Sequence, residues 1–148
     1  MNNEAESIAL VLDVVQGFYE RHPYPPPVES LEKYRERWND PMRRRVDHHL
    51  FWPTKTFREN HSILVAGCGT SQAAKHAIRW PHACVTGIDF SSTSVDCTNQ
   101  LKQKYHLDNL TVVQLPVERV AELGSSFDQI VCTGVLHHLA DPDAGLAA

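Results

Sequence analysis

Gly67-Cys68-Gly69, inside the run ILVAGCGTSQ at 63–72, stands where an apolar stretch gives way to polar residues. Two glycines at such a break let bare backbone approach a ligand and aim amide N–H groups at it. Further on, Gly87-Ile88-Asp89-Phe90 closes a second apolar run and places Asp89 about twenty residues beyond the glycines. At that distance a carboxylate on the neighbouring strand can accept both hydroxyls of an adenosine ribose. Two features from separate strand ends therefore fit one ribonucleoside.

The kind of nucleoside is narrowed by what surrounds the glycines. A dinucleotide fingerprint G-x-G-x-x-G/A needs a tiny residue at its last position, which counted from Gly67 is Gln72. This disfavours a nicotinamide-dependent oxidoreductase. The phosphate-cradling pattern G-x-x-x-x-G-K-[ST] is absent. A ligand with adenosine but no phosphate fits better, S-adenosylmethionine being the common one.

Other reactive side chains carry less. His137-His138 follow the fourth apolar run, near the place where a reacting group would sit. Adjacent residues diverge, so at most one of them points inward as a base, and a structural role is the competing reading. His48-His49 and His137-His138 are neighbours rather than i, i+4 pairs, and no acidic or cysteine cluster completes a metal shell, so no metal is expected. Cys68, Cys84, Cys97 and Cys132 form no CxxC pair, and three of them lie in or beside apolar runs and read as small hydrophobes in a reduced, cytoplasmic protein. The net charge of −4 excludes a global basic field for nucleic acid. The local run Lys33, Arg35, Arg37 and Arg43-Arg44-Arg45 alternates with Glu29, Glu32, Glu36 and Asp40, which predicts a solvated face of paired charges, a phosphate-bearing or acidic partner being the competing reading.

The elements that must position these residues follow from periodicity. Residues 4–21 put Ile8, Leu12, Val15 and Tyr19 on one helical stripe that should stop at His22-Pro23. YPPP at 24–27 is an extended connector, residues 28–39 are expected to be helical, and a third short helix should end before Trp52-Pro53. Beyond residue 60, strands are expected at Ile63–Ala66, Cys84–Ile88, Leu110–Leu115 and Gln129–Thr133. Helices are expected at Ser71–Trp80, Thr93–Tyr105 and Val117–Leu123, and Asp141-Pro142 and Asp143 should start a further one with a carboxylate as its cap. Alternation of this kind predicts an α/β fold, a Rossmann-like doubly wound parallel sheet of about four strands. Its ligand crevice should open between the first and fourth strands.

LVAGCGTSQ, GIDFS and FDQIVCTGVLHHLADP, in this order and spacing, resemble the first, second and fourth motifs of class I S-adenosylmethionine-dependent methyltransferases. The resemblance covers about residues 60–148, and YERHPYPPP is similar to the segment before the methyltransferase part of some bacterial members. It implies that Gly67, Cys68 and Gly69 line the methionine and ribose portion through backbone, with Ala66 just before them. Asp89 would hold the ribose hydroxyls and Phe90 would lie against adenine. Val117 and Glu118 would stand beyond the third strand, and Thr133 and Gly134 would face the methionyl end. Where the family often carries acidic residues, this chain has Ala66 and Pro116, and a third glycine is replaced by Ser71.

The organisation expected is a helical, proline-containing N-terminal segment over 1–58 and a cofactor-binding methyltransferase domain over 59–148 that is incomplete at its C-terminus. Tyr19, Tyr24 and Trp38 could form a lid; helical spacing favours Tyr19 in the apolar stripe and Trp38 as an anchor. The expected partner is a small-molecule or protein methyl acceptor, with no nucleic acid and no membrane. The alternative is a non-catalytic binding or interaction fragment, with self-association through the exposed sheet edge.

Overall fold

The computed structural model of the chain describes residues 14, 16–18 and 20–148. Helical residues at 14, 16–18, 20 and 21 (α1) end before Pro23, as the proline dictates. The stripe of Ile8, Leu12, Val15 and Tyr19 lies outside the described residues. The second helix, α2 (Glu32–Trp38), is shorter than its periodicity suggests. Its predicted first turn is instead non-helical and pinned: Leu31 stands at φ −110° and ψ 14°, and its amide donates to the Tyr105 hydroxyl at 2.6 Å.

Helix α3 (Pro41–Phe51) starts at Asp40, whose carboxylate accepts from the Met42 amide at 2.9 Å, with proline in the first turn. It corrects the expectation of a wholly solvated basic face. Arg44 is buried, pairing with Glu59 and donating to the Trp38 carbonyl at 2.7 Å, while Met42, Val46 and Leu50 face solvent. The pair Glu32–Arg35, at 3.1 Å, follows the expected exposed pattern.

Strands β1 (Ser62–Ala66), β2 (Cys84–Asp89), β3 (Leu110–Gln114) and β4 (Gln129–Cys132) form one parallel sheet in the order β3-β2-β1-β4. Register aligns their carboxyl ends: Ala66 lies opposite both Ile88 and Cys132, and Asp89 opposite Gln114. The strand order reverses at β1, between β2 and β4, the position at which open parallel sheets bind ligands beyond their carboxyl ends.

Helices α4 (Gln72–Arg79) and α5 (Ser92–Tyr105) cover one face, where Ile63, Val65 and Val85 pack with Ala73, Ala77 and Leu101. The close seat of α4 depends on Gly87, because a Cβ there would stand 2.6 Å from the Ala73 Cβ. A glycine in β2 thus permits the tight helix–strand approach that a third glycine in the turn would otherwise allow. On the other face Leu64, Ala66 and Ile88 meet Leu115 and Val117. Residues Val117–Leu123 form a 3₁₀ helix rather than the predicted α-helix, ending at Gly124 with φ +58°. A second 3₁₀ turn, Leu136–His138, precedes α6 (Pro142–Ala147), which Asp141 caps by accepting from the Ala144 amide at 3.0 Å.

All four cysteines are free; Cys68 is buried and Cys84, expected to be core-like, is exposed. Among the described residues no helix is long and apolar enough to cross a membrane.

Buried imidazoles collect at the end of the sheet away from the crevice. His61 stacks edge-on between Trp52 and Trp80, with ring centroids at 5.5 and 5.0 Å, and His48 lies 4.9 Å from Trp52. Burial holds the pKa values of His48 and His61 below the ordinary value and lowers that of His76 to about 4. The folded state therefore keeps these rings neutral while the unfolded chain takes up protons below about pH 6.5. Stability is full above that pH and is expected to fall as pH drops towards about 4, with His76 alone contributing on the order of 2–3 kcal/mol. Urea midpoints at pH 7.5, 6 and 5 check this. His76→Gln should flatten the profile, and an unchanged profile would contradict the assignment.

Candidate functional site

The turn after β1 has the backbone that glycine permits: Gly67 at φ +66° and Gly69 at φ +54°. Its amides are tied to β2. The Cys68 N–H donates to the Ile88 carbonyl at 2.8 Å, and the Gly69 N–H donates to Asp89 Oδ2 at 2.8 Å. The other carboxylate oxygen, Oδ1, accepts from the Ser91 amide at 3.0 Å. Glycine turn and acidic residue thus meet directly across two strand ends. A carboxylate has about four acceptor positions, so two amides leave it capacity for hydroxyl donors.

Asp89 is 6% exposed. Burial pushes its pKa up, against the pull of the Ser91 and Gly69 amides, and Glu20 adds to the rise. The Cys68 thiol is pushed up to about 12, chiefly by burial, so it is no nucleophile at neutral pH. The Thr98 hydroxyl secures the turn by donating to the Gly69 carbonyl at 2.9 Å.

Two other segments wall the turn. A Cβ on Gly67 would stand 2.3 Å from Val135 Cγ2, and one on Gly69 would stand 3.0 Å from Pro25 Cδ. The Thr70 hydroxyl holds the proline connector by donating to the Pro25 carbonyl at 2.8 Å. Tyr24 and Pro25 therefore lie at the glycines. Trp38 instead stacks under the Arg79 guanidinium, 4.2 Å from its ring centroid, at the far end of α4.

The remaining predicted residues fall around this centre in different ways. Phe90 is half-buried, and its carbonyl accepts from Gln114 Nε2 at 3.1 Å and Gln16 Nε2 at 3.5 Å. Thr133 and Gly134 are exposed just beyond β4, with Gly134 at φ +71°. Ala66 and Val117 put their side chains into the core beneath, so only their backbone can face the crevice. Glu118 is half-buried on the 3₁₀ helix. His137 and His138 do not diverge: the 3₁₀ turn brings their rings to 3.9 Å, and both are exposed. The His138 pKa is lowered, first by desolvation and then by His137. Among the described residues no group of three side chains could hold a metal.

Sequence reasoning missed Glu20, Thr70, Thr98 and Val135. Glu20 reaches Ser92 and Thr93 across more than seventy positions, which no local pattern reveals.

A glycine turn and a buried carboxylate, set on adjacent parallel strands at the point where strand order reverses, define a Rossmann-like nucleoside-binding domain. Within that class the chain belongs to the class I S-adenosylmethionine-dependent methyltransferase family: a family model described as "Methyltransferase domain" matches residues 64–148, more than half of the chain. An uncharacterized protein of Synechococcus, syc1184_c, is 35% identical over 144 residues, covering 93% of this chain and 33% of its own length. The chain thus spans about a third of that relative, and 14% of another, RP789 of Rickettsia prowazekii. Solved structures share the fold. The N-terminal domain of EvdMO1 with SAH bound aligns at TM-score 0.57 and 21% identity over 72% of this chain and 43% of that one. The YcgJ protein of Bacillus subtilis aligns at 0.51 and 24% over 67% and 43%.

Proposed function

We propose that this chain binds S-adenosylmethionine between the Gly67–Gly69 turn, Asp89 and the Thr133-Gly134 strand end, as the cofactor-binding part of a methyltransferase. The observation that carries the reading is the Gly69 amide on the Asp89 carboxylate at 2.8 Å, at the reversal of strand order. Asp89 accepts the ribose hydroxyls with its remaining acceptor positions, Phe90 lies against the adenine, and Val117 and Glu118 border it from beyond β3. Gly67, Cys68 and Gly69 offer backbone to the methionyl portion, with Ala66 in support. When bound, the cofactor supplies a sulfonium methyl that passes to the acceptor in line, the C–S electron pair returning to sulfur.

The protein's own part is alignment and exclusion of water, for which well-oriented reactions gain roughly 7–11 kcal/mol. The cover comes from Tyr24, Pro25 and Val135. The acceptor is a small molecule or a protein side chain, and the four free thiols suit a reducing, cytoplasmic compartment.

Calorimetric titration with S-adenosylhomocysteine and with NAD tests this. Binding of the first alone is expected; preference for NAD would make the domain an oxidoreductase module. Silence to both favours a second reading, an interaction fragment, which the β4 edge supports: among the described residues β4 pairs only with β1, and Ile130 is 64% exposed. In that reading two copies associate through this edge, which sedimentation equilibrium would detect.

A further inference from the structure

The start of α5 accounts for its orphan amides in an uncommon way. The Ser91 hydroxyl accepts from the Ser94 amide at 3.3 Å, as a cap normally does. The amides of Ser92 and Thr93 go instead to Glu20, a residue of α1: Ser92 N–H to Oε1 at 2.9 Å and Thr93 N–H to Oε2 at 3.1 Å. Both hydroxyls join them, Thr93 Oγ1 at 2.6 Å from Oε2 and Ser92 Oγ at 3.0 Å from the same oxygen. Glu20 is held well below the usual carboxylate range, at about 2, the Thr93 hydroxyl being the largest cause. It is therefore charged at any working pH, and a negative charge at a helix N-terminus is where the macrodipole favours it.

These contacts frame the turn that carries the adenosyl-facing residues. Asp89 holds the Ser91 amide from within the turn, and Glu20 holds the next two from outside it. Gln16, from the same helix as Glu20, reaches the Phe90 carbonyl at 3.5 Å. We propose that Glu20 is a positioning residue for cofactor binding, fixing the 89–93 turn so that Asp89 and Phe90 are presented together. The proposal rests on the adenosyl reading of the site given above. It places part of the binding determinant in α1, outside the residues 64–148 that the family model matches.

Binding and clamping are then coupled in both directions, since a ligand that needs the ordered turn must also stabilise the clamp. Glu20→Ala is expected to weaken S-adenosylhomocysteine binding about tenfold to thirtyfold by calorimetry, because two charge-assisted acceptor sets vanish together. Glu20→Gln keeps one acceptor oxygen and should lose only about threefold. Hydrogen exchange at the Ser92 and Thr93 amides should accelerate in Glu20→Ala and slow in the wild type on adding S-adenosylhomocysteine. Should Glu20→Ala fail to fold, Thr93→Val removes the shortest contact from the opposite side and is expected to weaken binding about threefold. Wild-type binding with Glu20→Ala within twofold of it overturns the proposal. A wild type that binds no S-adenosylhomocysteine overturns the adenosyl reading itself, and shows this before any variant is made.

Discussion

Asp89→Asn is expected to weaken S-adenosylhomocysteine binding by at least about a hundredfold while shifting the unfolding midpoint by only a few degrees. The carboxylate joins the two halves of the candidate site, accepting from the Gly69 amide at 2.8 Å and the Ser91 amide at 3.0 Å. An asparagine offers one oxygen to one amide and turns an NH₂ group towards the other, so one buried N–H loses its acceptor. Leaving such a donor unpaired costs about 1–3 kcal/mol. Against this loss, the folded chain no longer carries a desolvated charge. Burial raises the Asp89 pKa, so its ionisation opposes folding as pH rises through the folded value. The two effects offset each other in stability but not in binding, where the ribose hydroxyls need an acceptor. For the same reason, affinity in the wild type should fall as pH drops through the raised Asp89 pKa, and the variant should lack that dependence. Calorimetry over a descending pH series from 7.5 reads both effects. An Asp89→Asn protein that binds as the wild type does would remove Asp89 from the site.

The second large effect is expected at Gly67. Alanine there must hold φ near +66°, which costs about 1–2 kcal/mol for an L-residue, and its Cβ would stand 2.3 Å from Val135 Cγ2 and 2.9 Å from Cγ1. Overpacking of this kind adds about 1–3 kcal/mol unless Val135 moves. The sum is a large fraction of the about 5–15 kcal/mol that holds a typical domain. Val135→Ala in the same chain removes both clashing methyl groups and leaves the backbone cost with a close 3.2 Å approach to the Cβ of residue 135. A double-mutant cycle should therefore show a coupling of about 1–3 kcal/mol in denaturant unfolding. Cofactor affinity should recover partly with it, because the turn returns to its wild-type path. Additive effects of the two substitutions would mean that Val135 does not wall the glycine turn.

The elements of the second half were legible because their signals are local. Four apolar runs bounded by polar segments placed β1 to β4 to within a residue or two, and proline and aspartate punctuation placed the start of α6. Gly67, Gly69 and Asp89 were found for the same reason, since backbone freedom and strand-end position are written in neighbouring residues. Where the reading failed, a distant partner had overridden local preference. Arg44 sits in a run that reads as solvated, yet Glu59 and the Trp38 carbonyl compensate its burial. Residues 28–31 have helical capacity, but the Tyr105 hydroxyl captures the Leu31 amide, and the helix begins only at Glu32. His137 and His138, expected to diverge, are brought side by side by a 3₁₀ turn.

By itself, the order of residues determined a parallel α/β domain with a bare peptide turn after its first strand and a carboxylate ending its second. Tertiary structure alone decided that this carboxylate meets the Gly69 amide, that Val135 and Pro25 wall the turn, and that Glu20 closes the start of α5. The physical reason is range. Helix, strand and turn preferences act over a few neighbouring residues, whereas a buried amide or carboxylate must find a partner wherever packing supplies one.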